Sequence, residues 1–294
     1  MNNALNIVKI VLLSIIAVAL TLILVVVLNG KFTIKGIDLY EKTSLVYENT
    51  FTESINNLNI VTTNNDVKIL EKETGNIEVK VYDKKDVKPD VYVKDDTLYI
   101  HNKDEVRIGF TFGILGNSRI EITVPKGTTY NLIVEGTSSD VESQVDLQDV
   151  TINTKSGDVN LKNNINTVIK TTSGDMLIDS SKNLDITTTS GDTKVLNISK
   201  SLKVKATSGD MLIGDVAGKL NLETTSGDIK INKVNLTSNS SIGDTSGDII
   251  ISKTNDIYID AHVVSGDTRI NTNNRKADVE LKIKTISGDI IVNN

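Results

Sequence analysis

The sequence predicts an all-β fold, a β-solenoid with an N-terminal transmembrane helix, and three features carry that prediction. Ser-Gly-Asp recurs eight times in the second half at near-constant spacing. Apolar and polar residues alternate around every copy, as they do on a half-buried strand. An uncharged, strongly apolar run fills residues 10–28. Val, Ile, Thr, Asn and Gly prevail over the good helix formers, which agrees with the first two.

The apolar run comes first. Its nineteen residues are polar only at Ser14 and Thr21. At about 1.5 Å per residue they match the thickness of a bilayer's hydrocarbon core. Ala17-Val18-Ala19 resembles a signal-peptide cleavage site, but apolar residues continue to Leu28, where a polar mature segment would begin. An uncleaved anchor over residues 1–29, in contact with the lipid bilayer through 10–28, is therefore expected. Lys9 precedes the run and Lys31, Lys35 and Lys42 follow it, so flanking charge leaves the orientation open.

Residues 30–49 read as a membrane-proximal linker and 50–136 as an irregular N-terminal β region of the solenoid. Ten of the eleven aromatics and both prolines, Pro89 and Pro125, lie before residue 137. Ile77-Glu78-Val79-Lys80-Val81 and Arg119-Ile120-Glu121-Ile122-Thr123-Val124 alternate as strands do. Thr62-Thr63-Asn64-Asn65-Asp66-Val67-Lys68-Ile69 looks like an eroded repeat.

The repeat itself fills 137–294. Its turn residues are Gly157-Asp158, Gly174-Asp175, Gly191-Asp192, Gly209-Asp210, Gly227-Asp228, Gly247-Asp248, Gly266-Asp267 and Gly288-Asp289, with a degenerate copy at Ser138-Ser139-Asp140. Successive aspartates lie 17 to 22 residues apart, the mark of stacked supersecondary units. Apolar residues stand eight and six before the Asp, such as Leu184 and Ile186. A small or β-branched residue often stands four before it, such as Thr154, Thr171 and Ala206. Three after it the residue is always aliphatic. Inward positions are even before the Asp and odd after it, so one residue is inserted at Ser-Gly, as a corner or bulge requires. Each unit reads as strand, Gly corner, strand, loop.

Two residues after each Asp the sequence runs Asn160, Leu177, Lys194, Leu212, Lys230, Ile250, Arg269, Ile291. That alternation favours two units per coil, with Leu177, Leu212, Ile250 and Ile291 on one apolar contact stripe. With one unit per coil the same residues would alternate along a single face. The short segment after Asp289 suggests an uncovered solenoid end, open to weak self-association.

Composition excludes much chemistry. With no cysteine there are no disulfides and no thiolate metal sites. The net charge of −6 and dispersed lysines argue against nucleic acid as a partner. Lys203, Lys205, Lys282 and Lys284 read as a solvated strand face. Each repeat offers one carboxylate where a calcium ion takes six to eight oxygens, so the aspartates read as turn residues. His101 and His262 stand in no motif, and no rung adds a carboxylate pair for glycoside chemistry. Trp, the usual sugar-stacking residue, is absent. No enzyme, metal or cofactor is expected.

The N-terminal anchor, the segment Ile122-Thr123-Val124-Pro125-Lys126-Gly127 and the Thr-Ser-Gly-Asp-apolar repeats resemble the bacterial "putative adhesin" β-strand-repeat family, a domain of unknown function in envelope-associated proteins. The resemblance covers roughly 50–294 and departs at Ser139, where Gly is usual, so an irregular first coil is expected. It implies a solenoid held outside the cell membrane, and the leading expectation is a binding or scaffolding module of the envelope whose protein or polymer partner the sequence does not name. The alternatives are a self-assembling solenoid on the cytoplasmic membrane face and, third, a polysaccharide-active enzyme on a β-helix scaffold.

Overall fold

The computed structural model describes residues 43–73, 75–102 and 118–293, with the backbone of four residue pairs elsewhere. Residues 10–28 lie outside this set. Among the described residues no helix is long and apolar enough to cross a membrane. Compactness separates 1–43 with 106–116 from 44–105 with 117–294. In the first unit Thr33–Ile34 pairs antiparallel with Ile37–Asp38, and Tyr40–Glu41 pairs parallel with Ile114–Leu115.

The second unit is the β-solenoid. Its long strands, Val141–Asn153, Val159–Lys170, Met176–Thr187, Thr193–Lys205 and Met211–Glu223, stack parallel, with one-residue register shifts after Ser143 in the first coil and after Ser181. Each supplies two walls. The residues after the Asp form one wall, where Leu161 stacks on Ile178. Those before the next Asp form the other, where Ile169 stacks on Ile186. Val159, Leu161, Thr167 and Ile169 are all buried, as the alternation requires.

Between the walls the chain bends without leaving the strand. In Val159–Lys170 two pairs of consecutive outward residues flank the inward Asn164, so the period slips from two to three. Ser181, Ile198, Val216 and Val234 occupy the same inward position in the next rungs. The expected loop is therefore a second corner built of strand.

The register also corrects the number of units per coil. Leu177 stacks on Lys194, Lys194 on Leu212, and Leu212 on Lys230, so each coil holds one Ser-Gly-Asp unit. The continuous stripe of Leu177, Leu212, Ile250 and Ile291 does not form; only Ile250 and Ile291 are neighbours. In this single file Leu212 separates Lys194 from Lys230, so the two ammonium groups stand about 9.6 Å apart along the stack.

At the N-terminal end the eroded repeat is a true rung. Asp66–Lys72 pairs parallel with the start of Val141–Asn153, with Val67 on Val141. Asn57–Thr62 lies beside Tyr130–Glu135 on the other wall. Three antiparallel pairings then finish the walls: Ile77–Asp83 on Arg119–Pro125, Ser44–Phe51 on Ile77–Asp83, and Asp90–Lys94 on Thr97–Asn102. Of the aromatics among the described residues, only Phe51 and Tyr130 are buried; the others do not fill this end.

At the C-terminal end the corners leave sequence order. Ile290–Val292 pairs with Ile249–Thr254 on one side and Thr268–Ile270 on the other, so the Asp289 unit is inserted between those of Asp248 and Asp267. Burial explains the order. Leu281, Ile283, Ile290 and Val292 are fully enclosed, whereas Thr268 is exposed and Ala261, Val263 and Ile270 are only half-buried. The more apolar unit takes the place covered on both sides. The solenoid end expected after Asp289 is thus formed by Tyr258–Ser265 and Thr268–Ile270. Part of that edge is covered. The Asn273 side chain accepts from the Ile259 N–H at 2.9 Å and donates to its carbonyl at 2.8 Å, acting as one peptide of an added strand.

Candidate functional site

The repeated corner is built around four residues. The Thr four before the Asp points inward, and its hydroxyl donates to the Ser carbonyl two residues on. These bonds are 2.8 Å from Thr154 to Ser156 and 2.9 Å from Thr171 to Ser173 and from Thr188 to Ser190. All eight Ser-Gly-Asp glycines have positive φ, from 114° at Gly209 to 158° at Gly247. The degenerate corner manages without: Ser139 is buried and is not among the positive-φ residues, yet Val141 keeps its register on Val159.

Each Asp then ties its rung to the next. The Oδ1 of Asp158 accepts the backbone N–H of Asp175 at 2.8 Å, and that of Asp175 accepts the N–H of Asp192 at 2.8 Å. Nine such bonds join ten aspartates, from Asp66 through Asp248 and Asp289 to Asp267. At about 4.8 Å per step this ladder is about 43 Å long. The charge-assisted bond with the Asp248 N–H, followed by the Lys230 ammonium, holds the Asp228 carboxyl below its ordinary value. At Asp66 burial outweighs the same kind of bond and pushes the carboxyl up.

An amide oxygen accepts as a carboxylate oxygen does, only more weakly. Asp210→Asn is therefore expected to cost about 0.5–1 kcal/mol, and Asp210→Ala about 1.5–3 kcal/mol, because alanine leaves the Asp228 N–H without its partner. Equal losses in urea denaturation would remove the ladder bond from the account.

One rung departs from this pattern. Asp244 stands where the inward Thr is usual, four before Asp248, and is 7% exposed. Its Oδ1 accepts from the N–H groups of Thr245 at 2.6 Å and Ser246 at 3.1 Å, while its Oδ2 is buried without a partner. Burial is the main cause that raises this carboxyl above its ordinary value. The two N–H bonds oppose it and the charges of Asp228 and Asp248 add to it.

A carboxyl raised in the folded state binds its proton there more tightly than in the unfolded chain. Its destabilising effect is absent below the unfolded value, grows as pH rises through the folded value, and is complete above it. Asp244→Thr restores the hydroxyl seen in neighbouring rungs. It is expected to stabilise by about 1–3 kcal/mol near pH 7, with a smaller gain near pH 4. A gain independent of pH would show that the charge is not the cause.

Among the described residues no group of three or more His, Asp or Glu side chains is placed to hold a metal ion. The outer walls carry open depressions. One of about 450 Å³ lies over Gly214 beside Leu196, Leu212 and Ile250. Another of about 400 Å³ lies over Gly243 between Lys203 and Lys205 on one side and Lys282 and Lys284 on the other. The fold thus gathers these four lysines on one wall, although Lys203, Lys205 and Lys282 already pair with Asp185, Glu223 and Glu280. His262 lies at the terminal edge, stacked on Lys284. His101 lies at the other end of the same wall, with its ring 6.0 Å from those of both Tyr92 and Tyr99.

A parallel stack of short coils locked by an aspartate corner defines a repeat scaffold of the β-solenoid class. The chain belongs to the Toastrack DUF4097 family, whose model matches residues 55–293. Among curated proteins none matches in sequence. Solved structures with a similar fold include a putative adhesin from Bacteroides fragilis, 14% identical over 86% of this chain and 100% of its own, with a TM-score of 0.44. A putative adhesin from Parabacteroides distasonis is 13% identical over 86% and 99% of the two chains, at 0.43. A putative lipid binding protein from the same organism is 16% identical over 84% and 97%, at 0.40.

Proposed function

We propose that this chain is a membrane-anchored, extracytoplasmic β-solenoid that acts as a binding or scaffolding module of the bacterial envelope. The observation that carries the proposal is a division of labour within each rung. Inward aliphatic residues, the Thr hydroxyl, the glycine and the Asp ladder hold the stack together. The outward positions differ from rung to rung, as along Leu177, Lys194, Leu212 and Lys230, and are available for recognition. The apolar run of residues 10–28 supports the anchored part of the reading.

Compartment is the property to measure first. With a C-terminal tag on the full chain, added protease is expected to remove the solenoid from intact cells stripped of their wall. Degradation only after lysis would instead favour a self-assembling solenoid on the cytoplasmic face.

A further inference from the structure

The interior of this solenoid is aliphatic, yet two tyrosines and a histidine gather on the outside of one wall at its N-terminal end. They belong to the hairpin of Asp90–Lys94 and Thr97–Asn102, which turns at Asp95, the one non-glycine residue of positive φ among those described. The register sets Tyr92 opposite Tyr99 and Asp90 opposite His101. The tyrosine rings stack with centroids 5.0 Å apart and planes 14° apart, and His101 stands edge-on to both.

Two features make this more than a packed aromatic cluster. Tyr92 is 38% exposed on the outermost strand of its wall. With Tyr99 on one side of it, its other face has no strand beyond it among the described residues. Polar groups flank the pair, with the exposed Ile133 next to Asn59. Parallel pairing puts Asn59 beside Tyr99 and Asn131 beside Asn57, whose side chains are joined at 2.8 Å, and Asp90 is exposed at the rim.

We propose that this platform binds a hexose polymer. The negative face of a tyrosine ring attracts the weakly positive C–H groups on one face of a pyranose. Hydroxyls at the edge of the sugar need donors and acceptors beside that free face, which the Tyr92 hydroxyl and the exposed Asp90 carboxylate on the same outermost strand supply. The free face of Tyr92 lies at the open edge of the wall, so it suits an extended chain passing along that edge more than a buried monosaccharide. The missing tryptophan is thus replaced by a tyrosine pair. Its sequence signal is Tyr92 and Tyr99 placed symmetrically about Asp95-Asp96.

The inference deepens the binding-module reading and rests on it for the compartment alone, which the protease experiment tests separately. Calorimetric titration of the full chain in detergent would use cellohexaose, chitohexaose and mannohexaose, with decaproline for comparison. At least one hexasaccharide is expected to bind saturably. Tyr92→Thr, which keeps a strand-forming residue at an exposed edge, should weaken it about tenfold, whereas the distant Tyr258→Thr should leave it within about twofold. Saccharide should also slow nitration of Tyr92 relative to Tyr258 in the unaltered protein, a readout that needs no variant. Binding by no hexasaccharide, stronger binding of decaproline, equal losses at Tyr92 and Tyr258, or unprotected Tyr92 would each overturn the assignment.

Discussion

Gly209→Val is expected to lower stability by on the order of 3–5 kcal/mol, a fall in melting temperature of roughly 10 °C. Two independent causes combine. The φ of 114° is one that a β-branched residue avoids. A Cβ at this position would also overlap the carbonyl oxygen of Gly191 in the neighbouring rung, a backbone atom that moves only if the stack opens. Gly174 meets the Gly157 carbonyl in the same way. The repeat therefore needs glycine both for its own conformation and for the approach of its neighbour.

Gly243 is the control within the same molecule. It has no positive φ, a Cβ added to it would meet open space, and it faces the depression beside Lys205. Gly243→Val is expected to change stability by about 0.5 kcal/mol or less. Similar losses at Gly209 and Gly243, measured by thermal and urea denaturation, would remove the corner's special role.

How much of this is legible in the sequence depends on which residues carry each signal. The Ser-Gly-Asp period and the inward positions around it are legible because the same aliphatic pattern is imposed in every coil. The second corner is not, because its inward residue changes from Asn164 to Ser181 to Ile198 and looks like loop in one rung and core in the next. The place of the Asp289 unit is hidden for the opposite reason. Its corner is identical to the others, and only the comparison of Leu281 and Ile283 with Ala261 and Val263 separates inner from outer. Asp244 is readable: a carboxylate in a column of threonines is a local inconsistency, and such positions are where a fold gives up stability for something else. The alternation of Leu177 with Lys194 suggests two faces when read along the chain, whereas the two residues stack on one another in a single file.

The buried cluster at the N-terminal end gives the last prediction. Asn65 occupies the glycine position of the eroded repeat, and there the corner is held by side chains instead of by a tight backbone turn. Asp83, at the end of Ile77–Asp83, is fully buried. Its Oδ2 accepts from Asn65 at 2.8 Å and Asn102 at 2.6 Å. Its Oδ1 accepts from the Lys84 N–H at 2.7 Å and the Ser118 hydroxyl at 3.2 Å. Asn65 in turn accepts from Thr62 and Asn102, both at 2.8 Å. One carboxylate thus ties both walls to the first corner, since Asn102 ends a strand of one wall and Asp83 a strand of the other. Asp83→Leu removes the acceptor of four donors, three of them buried, and is expected to cost about 3–5 kcal/mol. Asp83→Asn keeps one acceptor and turns an N–H toward the remaining donors, at about 1–3 kcal/mol. Because the groups share partners, Asn65→Ala should cost at least about 1 kcal/mol less in the Asp83→Leu background than in the native chain. Additive losses in that double-mutant cycle would mean that Asp83 and Asn65 stabilise the end of the solenoid separately, and the closure of its two walls by one shared carboxylate would fall.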